Sequence, residues 1–263
     1  MYRYRMAVLV DGGFFLKRLK SQYPSVDAGD AKAVAQIIHQ HALRHRNQIT
    51  GADSAGKIVE TYDLYRIFFY DCAPLEKKMQ HPISKKSIDF AKSPIALFRR
   101  SLHDELKRKR KVALRMGHLL DTTEWKLKPG VLKALTGGRR RLEDLTDEDF
   151  SIDTLQKGVD MRLGLDVASL AYKKLVDQIV LIVGDSDFVP AAKLARREGI
   201  DVILDRLGTN VHDALNEHID GVRTFKGNNH APHGPHQIVQ QDTIAIVAQR
   251  TTVMQDDDTI DQE

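Results

Sequence analysis

Two apolar runs in this chain stop abruptly at acid. Met6-Ala7-Val8-Leu9-Val10 ends at Asp11-Gly12-Gly13, and the run 178–183 ends at Gly184-Asp185-Ser186-Asp187. Short apolar runs closed by glycine and aspartate read as buried strands followed by tight turns. A strand that is apolar on both faces belongs inside a parallel sheet covered by helices. The remaining pattern agrees. The segment 62–70 is rich in aromatic and branched residues and reads as another strand. Asp30 caps a helix running to about His45, with Val34, Ile37, Ile38 and His41 or Ala42 on its apolar side. His41 and His45, four apart, read as part of that helix's surface. A helix over 160–176 places Met161, Leu165, Ala168, Tyr172 and Leu175 in one stripe, with Arg162, Asp166, Ser169 and Lys173 on the polar side. The helix after Asp187 is closed by Gly199. A buried strand over 200–204, a short helix over 210–218 and a last strand over 222–225 follow. This alternation predicts a doubly wound α/β fold, a Rossmann-like parallel sheet flanked by helices.

A chain of 263 residues, 42% hydrophobic, has enough material for a sizeable core. Its single cysteine, Cys72, excludes an intrachain disulfide and a cysteine-rich zinc site, and fits a reducing compartment. No apolar run approaches a membrane span, and the first is too short for a signal-peptide core. The expected location is the cytoplasm. The net charge of +4 conceals an asymmetry. Residues 99–141 hold 14 basic and four acidic residues, a net of +10, whereas 226–263 has a net of −4. The basic block suggests a polyanion partner. Within it Arg99, Arg100, Lys107, Arg108, Lys109, Arg110, Lys111, Arg139, Arg140 and Arg141 are candidate phosphate contacts, with a solvated face as the plainer reading. The signal over 74–151 is mixed and reads as a basic insertion in a domain spanning 1–225. The tail, 226–263, is dominated by Asn, Gln, His, Pro and Asp and is expected to be mobile. Its His230, His233 and His236 read as adventitious metal binders.

Ligands of open α/β sheets bind beyond the carboxyl ends of the strands. If the two acid-terminated strands are neighbours, Asp11, Asp185 and Asp187 converge in one crevice. Asp160, at the start of its helix, can add a fourth carboxylate. Taken singly, Asp11 reads as a turn residue, Asp160 and Asp187 as helix caps, and Asp166 as a solvated charge. Together they make an unfavourable cluster, since two unit charges 4 Å apart repel by about 4 kcal/mol at an effective dielectric near 20. Protonation or a cation relieves that repulsion. Oxygen donors without Cys or His favour Mg2+ or Mn2+, which can activate water against a phosphodiester. Nucleotide-cofactor chemistry and serine-hydrolase chemistry have no motif here.

Val10-Asp11-Gly12-Gly13-Phe14, Lys157-Gly158-Val159-Asp160 with Asp166 following, and Val183-Gly184-Asp185-Ser186-Asp187-Phe188-Val189-Pro190 resemble the NYN domain family of PIN-like metal-dependent nucleases. The resemblance covers roughly 5–73 and 152–225. It implies an α/β/α sheet and an acidic Mg2+ or Mn2+ site acting on RNA. By motif, Asp11, Asp160, Asp185 and Asp187 match the acidic positions, and Asp166 matches a further recurrent acid. Many relatives have Asn where this chain has Phe14, and Ser186 and Asn210 are candidates for the missing polar contact, with Lys157 as further support. The full acid set favours a ribonuclease. Phe14 favours the alternative, a catalytically silent RNA-binding or regulatory module. Oligomeric state is open.

Overall fold

The computed structural model describes residues 4–53, 56–119, 124–153, 156–209, 215 and 217–225. The expected helix over 210–218 and the whole tail therefore fall almost entirely outside the described residues. In chain order the elements are β1 (Arg5–Asp11), α1 (Gly12–Gln22), α2 (Ala31–Arg44), β2 (Asn47–Asp53), β3 (Gly56–Thr61) and β4 (Asp63–Cys72). Then come β5 (Lys78–Gln80), β6 (Ser87–Asp89), α3 (Pro94–Lys107), β7 (Val112–Leu119), β8 (Glu124–Leu127), α4 (Pro129–Thr136), β9 (Phe150–Asp153) and β10 (Gln156–Lys157). The chain continues through α5 (Val159–Tyr172), β11 (Gln178–Ile182), α6 (Val189–Arg197), β12 (Asp201–Leu204) and β13 (Gly221–Val222).

The main sheet has the order β10-β7-β4-β1-β11-β12-β13. Six of its strands are parallel, and β10 lies antiparallel on the β7 edge. From β1 the chain winds outward to β4 and β7. It then crosses back through α5 to β11, on the other side of β1. The switch in direction thus falls between β1 and β11, where a doubly wound sheet opens a crevice.

Alternation along each strand divides the core between the two faces. Met6, Val8, Val10, Ile67, Phe69, Val180 and Ile182 pack against Phe15 and Leu19 of α1, Val34 and Ile38 of α2, and Leu102 and Leu106 of α3. Ala7, Leu9, Phe68, Tyr70, Ile179 and Leu181 face α5 and α6. The helix starts follow local rules. Asp30 accepts hydrogen bonds from the Lys32 and Ala33 amides, and Ser93 accepts from Ala96 just ahead of Pro94.

Three expectations need correction. First, the stripe assigned to α5 is the wrong one. Met161, Leu165 and Tyr172 are exposed, and the helix buries Leu163, Val167, Leu170 and Ala171 instead. Second, the insertion is narrower than 74–151. α3 covers the core, and β7 is a strand of the main sheet, paired with β4 from Val112 to Gly117. Among the described residues, what leaves the core is two excursions, 73–93 and 124–153. They meet through a Trp125 Nε1 hydrogen bond to the Gln80 carbonyl and through the Ile83 and Ser84 amides on Asp147. Third, His41 and His45 do not line a surface: both are buried.

Gly117 marks where the second excursion returns. A Cβ there would sit 2.7 Å from Val159 Cγ2, 2.8 Å from the Lys157 carbonyl oxygen and 2.9 Å from Cys72 Sγ. Backbone cannot yield as a side chain does, so Gly117→Ala is expected to cost about 1–3 kcal/mol in urea unfolding. An unchanged midpoint would show that β10 moves aside freely.

Candidate active site at the carboxyl ends of the strands

Asp11 is the last residue of β1 and the cap of α1. Its Oδ1 accepts a hydrogen bond of 3.1 Å from the Phe14 amide. Strand β11 runs beside β1 with Val10 opposite Ile182, so both strands end at one level. Beyond β11, Asp185 caps a single turn, Ser186–Phe188, and its Oδ1 accepts from the Asp187 amide at 3.3 Å. Phe188 is buried and anchors this turn among the residues under α5 and α6. Gly184 is needed because the Phe14 ring lies against it; a Cβ at 184 would run into that ring. Gly158, with φ of 81°, turns the chain into α5 and places Asp160 in its first turn.

The four expected acids form one electrostatic group. Burial first, and then repulsion from Asp187 and Asp185, pushes the Asp160 carboxyl above its ordinary range. Burial also raises Asp11. The Phe14 and Gly13 amides oppose that rise, and the charges of Asp160 and Asp71 add to it. Asp185 and Asp187 are exposed. Asp160 is thus the link between Asp11 on one side and the Asp185 and Asp187 turn on the other.

The supporting residues fare differently. Asp166 is not simply solvated. Its Oδ2 accepts from the Tyr70 hydroxyl at 2.9 Å and from Arg115 Nε at 2.7 Å, which ties α5 to β4 and β7. The Arg115 guanidinium also lies 4.8 Å from the centre of the Phe68 ring. Ser186 Oγ is 3.5 Å from Asp185 Oδ1. Lys157 is exposed at the end of β10, and Asn210 lies outside the described residues.

One acid was missed. Asp71, near the end of β4, is 3% exposed. Both its oxygens lie 2.5 Å from Arg99 Nη1, and Oδ2 is 2.8 Å from His103 Nε2. Burial would raise this carboxyl, but the His103 and Arg99 bonds outweigh it and hold it below its ordinary range. The available signal was the one used for Asp11, an apolar run closed by Asp, here Phe68-Phe69-Tyr70-Asp71. Arg99 and His103, one turn apart on α3, are its partners.

The basic candidates are scattered. Arg99 is committed to Asp71, and Arg100 to Glu76 and the Ala91 carbonyl. Arg140 grips Asp149, while Arg139 and Arg141 are exposed on the second excursion. The stretch 107–111 precedes Val112, at the amino ends of β4 and β7. Lys111 is five residue steps from Met116, which lies level with Asp71, a distance of about 15–20 Å. There Lys107 pairs with Asp104, Arg108 with Glu105, Lys109 with Gln36 and Lys111 with the Leu64 carbonyl, while the Arg110 carbonyl meets His39 Nε2. Asp160 thus interacts electrostatically with Asp11, Asp185 and Asp187, whereas Lys107, Arg108, Lys109, Arg110 and Lys111 lie toward the other end of the strands.

A mostly parallel sheet with helices on both faces and acids at its switch point defines a PIN-like α/β class. The family model of the NYN domain matches residues 87–219, just over half of the chain, and the chain belongs to that family. The match includes the segments around Asp160 and Asp185. It begins inside the stretch read as an insertion, and Asp11 precedes it. No curated protein matches the chain. A solved structure of a protein of unknown function from Vibrio parahaemolyticus is similar at 14% identity, with a TM-score of 0.41, over 84% of this chain and 93% of that one. Among the described residues no helix is long and apolar enough to cross a membrane.

Proposed function

We propose that this chain is a divalent-metal-dependent ribonuclease acting at the carboxyl ends of β1 and β11. The observation that carries the proposal is the electrostatic state of its acids. Asp11 and Asp160 are both pushed upward by burial and by neighbouring carboxylates. Such a group is completed by a cation. Its donors are carboxylate oxygens, which suits Mg2+ or Mn2+, held by Asp11, Asp160, Asp185 and Asp187. Bound there, the ion supplies Lewis acidity toward a phosphodiester and its attacking water.

The other residues position these four. Asp166, through Tyr70 and Arg115, holds the helix that carries Asp160. The Ser186 hydroxyl and the Asp187 amide steady Asp185. Lys157, three residues before Asp160, is proposed to offer a cation to the substrate from the exposed end of β10. RNA is the proposed substrate, oriented through its phosphates by Lys157 and by Arg139 and Arg141 on the second excursion.

The stretch 107–111 is proposed to hold the far part of a longer strand. Changing Lys107, Arg108, Lys109 and Arg110 to Gln is expected to weaken binding of long RNA. It should also flatten the salt dependence, by about 0.7 in log–log slope for each lost single-strand phosphate contact. Cleavage of a short oligonucleotide should not change, given the distance from the acids. Equal losses on short and long RNA would place this stretch at the crevice after all.

The test of the activity is incubation of purified chain with RNA and Mn2+ or Mg2+. Cleavage that stops with EDTA is expected. RNA bound but uncut with either ion would favour the silent module, for which Phe14 speaks. Its ring lies on Gly184 at the position where many relatives carry Asn.

A further inference from the structure

A second cluster of ionisable groups lies on the other face of the sheet from α5, under the last turn of α2. His41 and His45 are one helical turn apart and point the same way. Both meet Asp205, the residue after β12. His41 Nε2 is 2.6 Å and His45 Nε2 3.0 Å from Asp205 Oδ2, and all three side chains have zero exposure. The other carboxylate oxygen is taken by the Leu207 amide at 2.9 Å. Two imidazole nitrogens and one oxygen thus converge on a single point, within 4.8 Å of one another.

We infer that His41, His45 and Asp205 form a buried binding site for a transition metal of the Zn2+ type, separate from the carboxylate site. Two imidazoles and one carboxylate suit Zn2+, whereas the oxygen-only set at Asp11 suits Mg2+ or Mn2+. The surroundings are those of a metal site. The Tyr23 hydroxyl lies 2.5 Å from His41 Nδ1, and so fixes the ring with Nε2 toward Asp205. Phe15 stands edge-on to His41, and Phe225 edge-on to both rings, which closes the site in an apolar shell. Three protein donors leave one position of a tetrahedral ion for water. Arg223 is a nearby cation, with Nη1 at 3.5 Å from the His45 carbonyl oxygen. Its foremost attraction is to Asp201, ahead of Tyr62 and Asp205. Asp205 is already met by His41 and His45, so an ion bound here would take the place of the protons these three groups share. A bound ion would pin the end of α2 to the end of β12. It would also fix the loop at Leu207, whose carbonyl receives Gln22 Nε2 of α1 at 2.6 Å.

The experiment uses the full chain, untagged, with His230, His233 and His236 changed to Ala so that the tail contributes no imidazoles. After exposure to Zn2+ and gel filtration, elemental analysis should find stoichiometric zinc. Added Zn2+ should raise the melting temperature, and a strong chelator should lower it. Loading with Co2+ should give the visible absorption of a tetrahedral site. His45→Gln should lose the zinc and the Co2+ spectrum, while Asp11→Asn should keep both. The measurement on this parent chain, with His45 intact, decides the matter even if His45→Gln fails to fold. A protein that emerges without zinc, and whose melting ignores both Zn2+ and chelator, would reduce the cluster to a hydrogen-bonded core network. Zinc retained by a folded His45→Gln would likewise overturn the assignment.

Discussion

Asp11→Asn is expected to lose cleavage by about 10²–10³-fold, the scale on which one electrostatic contact to a transition state acts, and yet to melt above the wild type in metal-free buffer. Asparagine caps a helix as well as aspartate does, so the bond from the Phe14 amide that starts α1 survives. What disappears is a charge that its surroundings disfavour. Burial, with Asp160 and Asp71 adding, raises the Asp11 carboxyl above its unfolded value. Ionising it therefore costs stability in the folded state. The wild type loses that stability as pH rises from the unfolded carboxylate value, about 3.9, through the higher folded one. The variant does not, so the gap between them opens across that window and is complete at neutral pH. Adding Mn2+ reverses the order. The wild type gains about 2.7 kcal/mol at a free-ion concentration 100 times Kd, and the variant gains little of it. Melting curves with and without Mn2+, beside an RNA assay, read all three effects. Equal Mn2+ shifts in the two proteins would place the ion away from Asp11.

Asp11 and Asp185 were legible because each closes an apolar strand, a local pattern that needs no knowledge of the rest of the chain. That β1 and β11 are neighbours was a conjecture from topology, and the register of Val10 with Ile182 bears it out. Asp71 carries the same local pattern and was passed over, because its significance lies in partners on α3, 28 and 32 residues away. The face of α5 was misread for another reason. The helix is apolar on two sides, so periodicity alone could not choose between Met161-Leu165-Tyr172 and Leu163-Val167-Leu170. Docking against Tyr70 and Phe68 of β4 made the choice. Strand β7 was hidden in a basic surrounding, since its membership of the sheet depends on pairing with β4. The histidines of α2 were assigned to a surface on residue type. Their burial is made affordable by Asp205, 164 positions from His41, and no local pattern encodes that pairing.

The largest expected change in stability comes from Asp71→Asn. Removing one partner of a buried ion pair leaves the others uncompensated, and a loss of about 3 kcal/mol is expected at neutral pH. The Arg99 side chain is 23% exposed and that of His103 7%, so water replaces the carboxylate poorly. The pH dependence has a definite sign. Burial acts to raise the Asp71 carboxyl, and the His103 and Arg99 contacts reverse that, leaving the folded value below the unfolded one. Stability from Asp71 is therefore full above the unfolded value of about 3.9 and is lost as pH falls through the depressed folded value. The difference between wild type and variant should be widest near neutrality and should shrink in acid. Urea unfolding at neutral pH and near pH 3 measures it. A variant as stable as wild type at neutral pH would show that Arg99 and His103 find other partners. A second readout concerns the crevice. The Asp71 charge helps to raise Asp11, and Tyr70, just before Asp71, pairs with Asp11 in the sheet. Neutralising Asp71 should thus move the Asp11 titration downward. Because Asp71 carries its charge on α3 partners rather than in the crevice, that shift should arrive without loss of Mn2+ binding in whatever fraction of the variant remains folded.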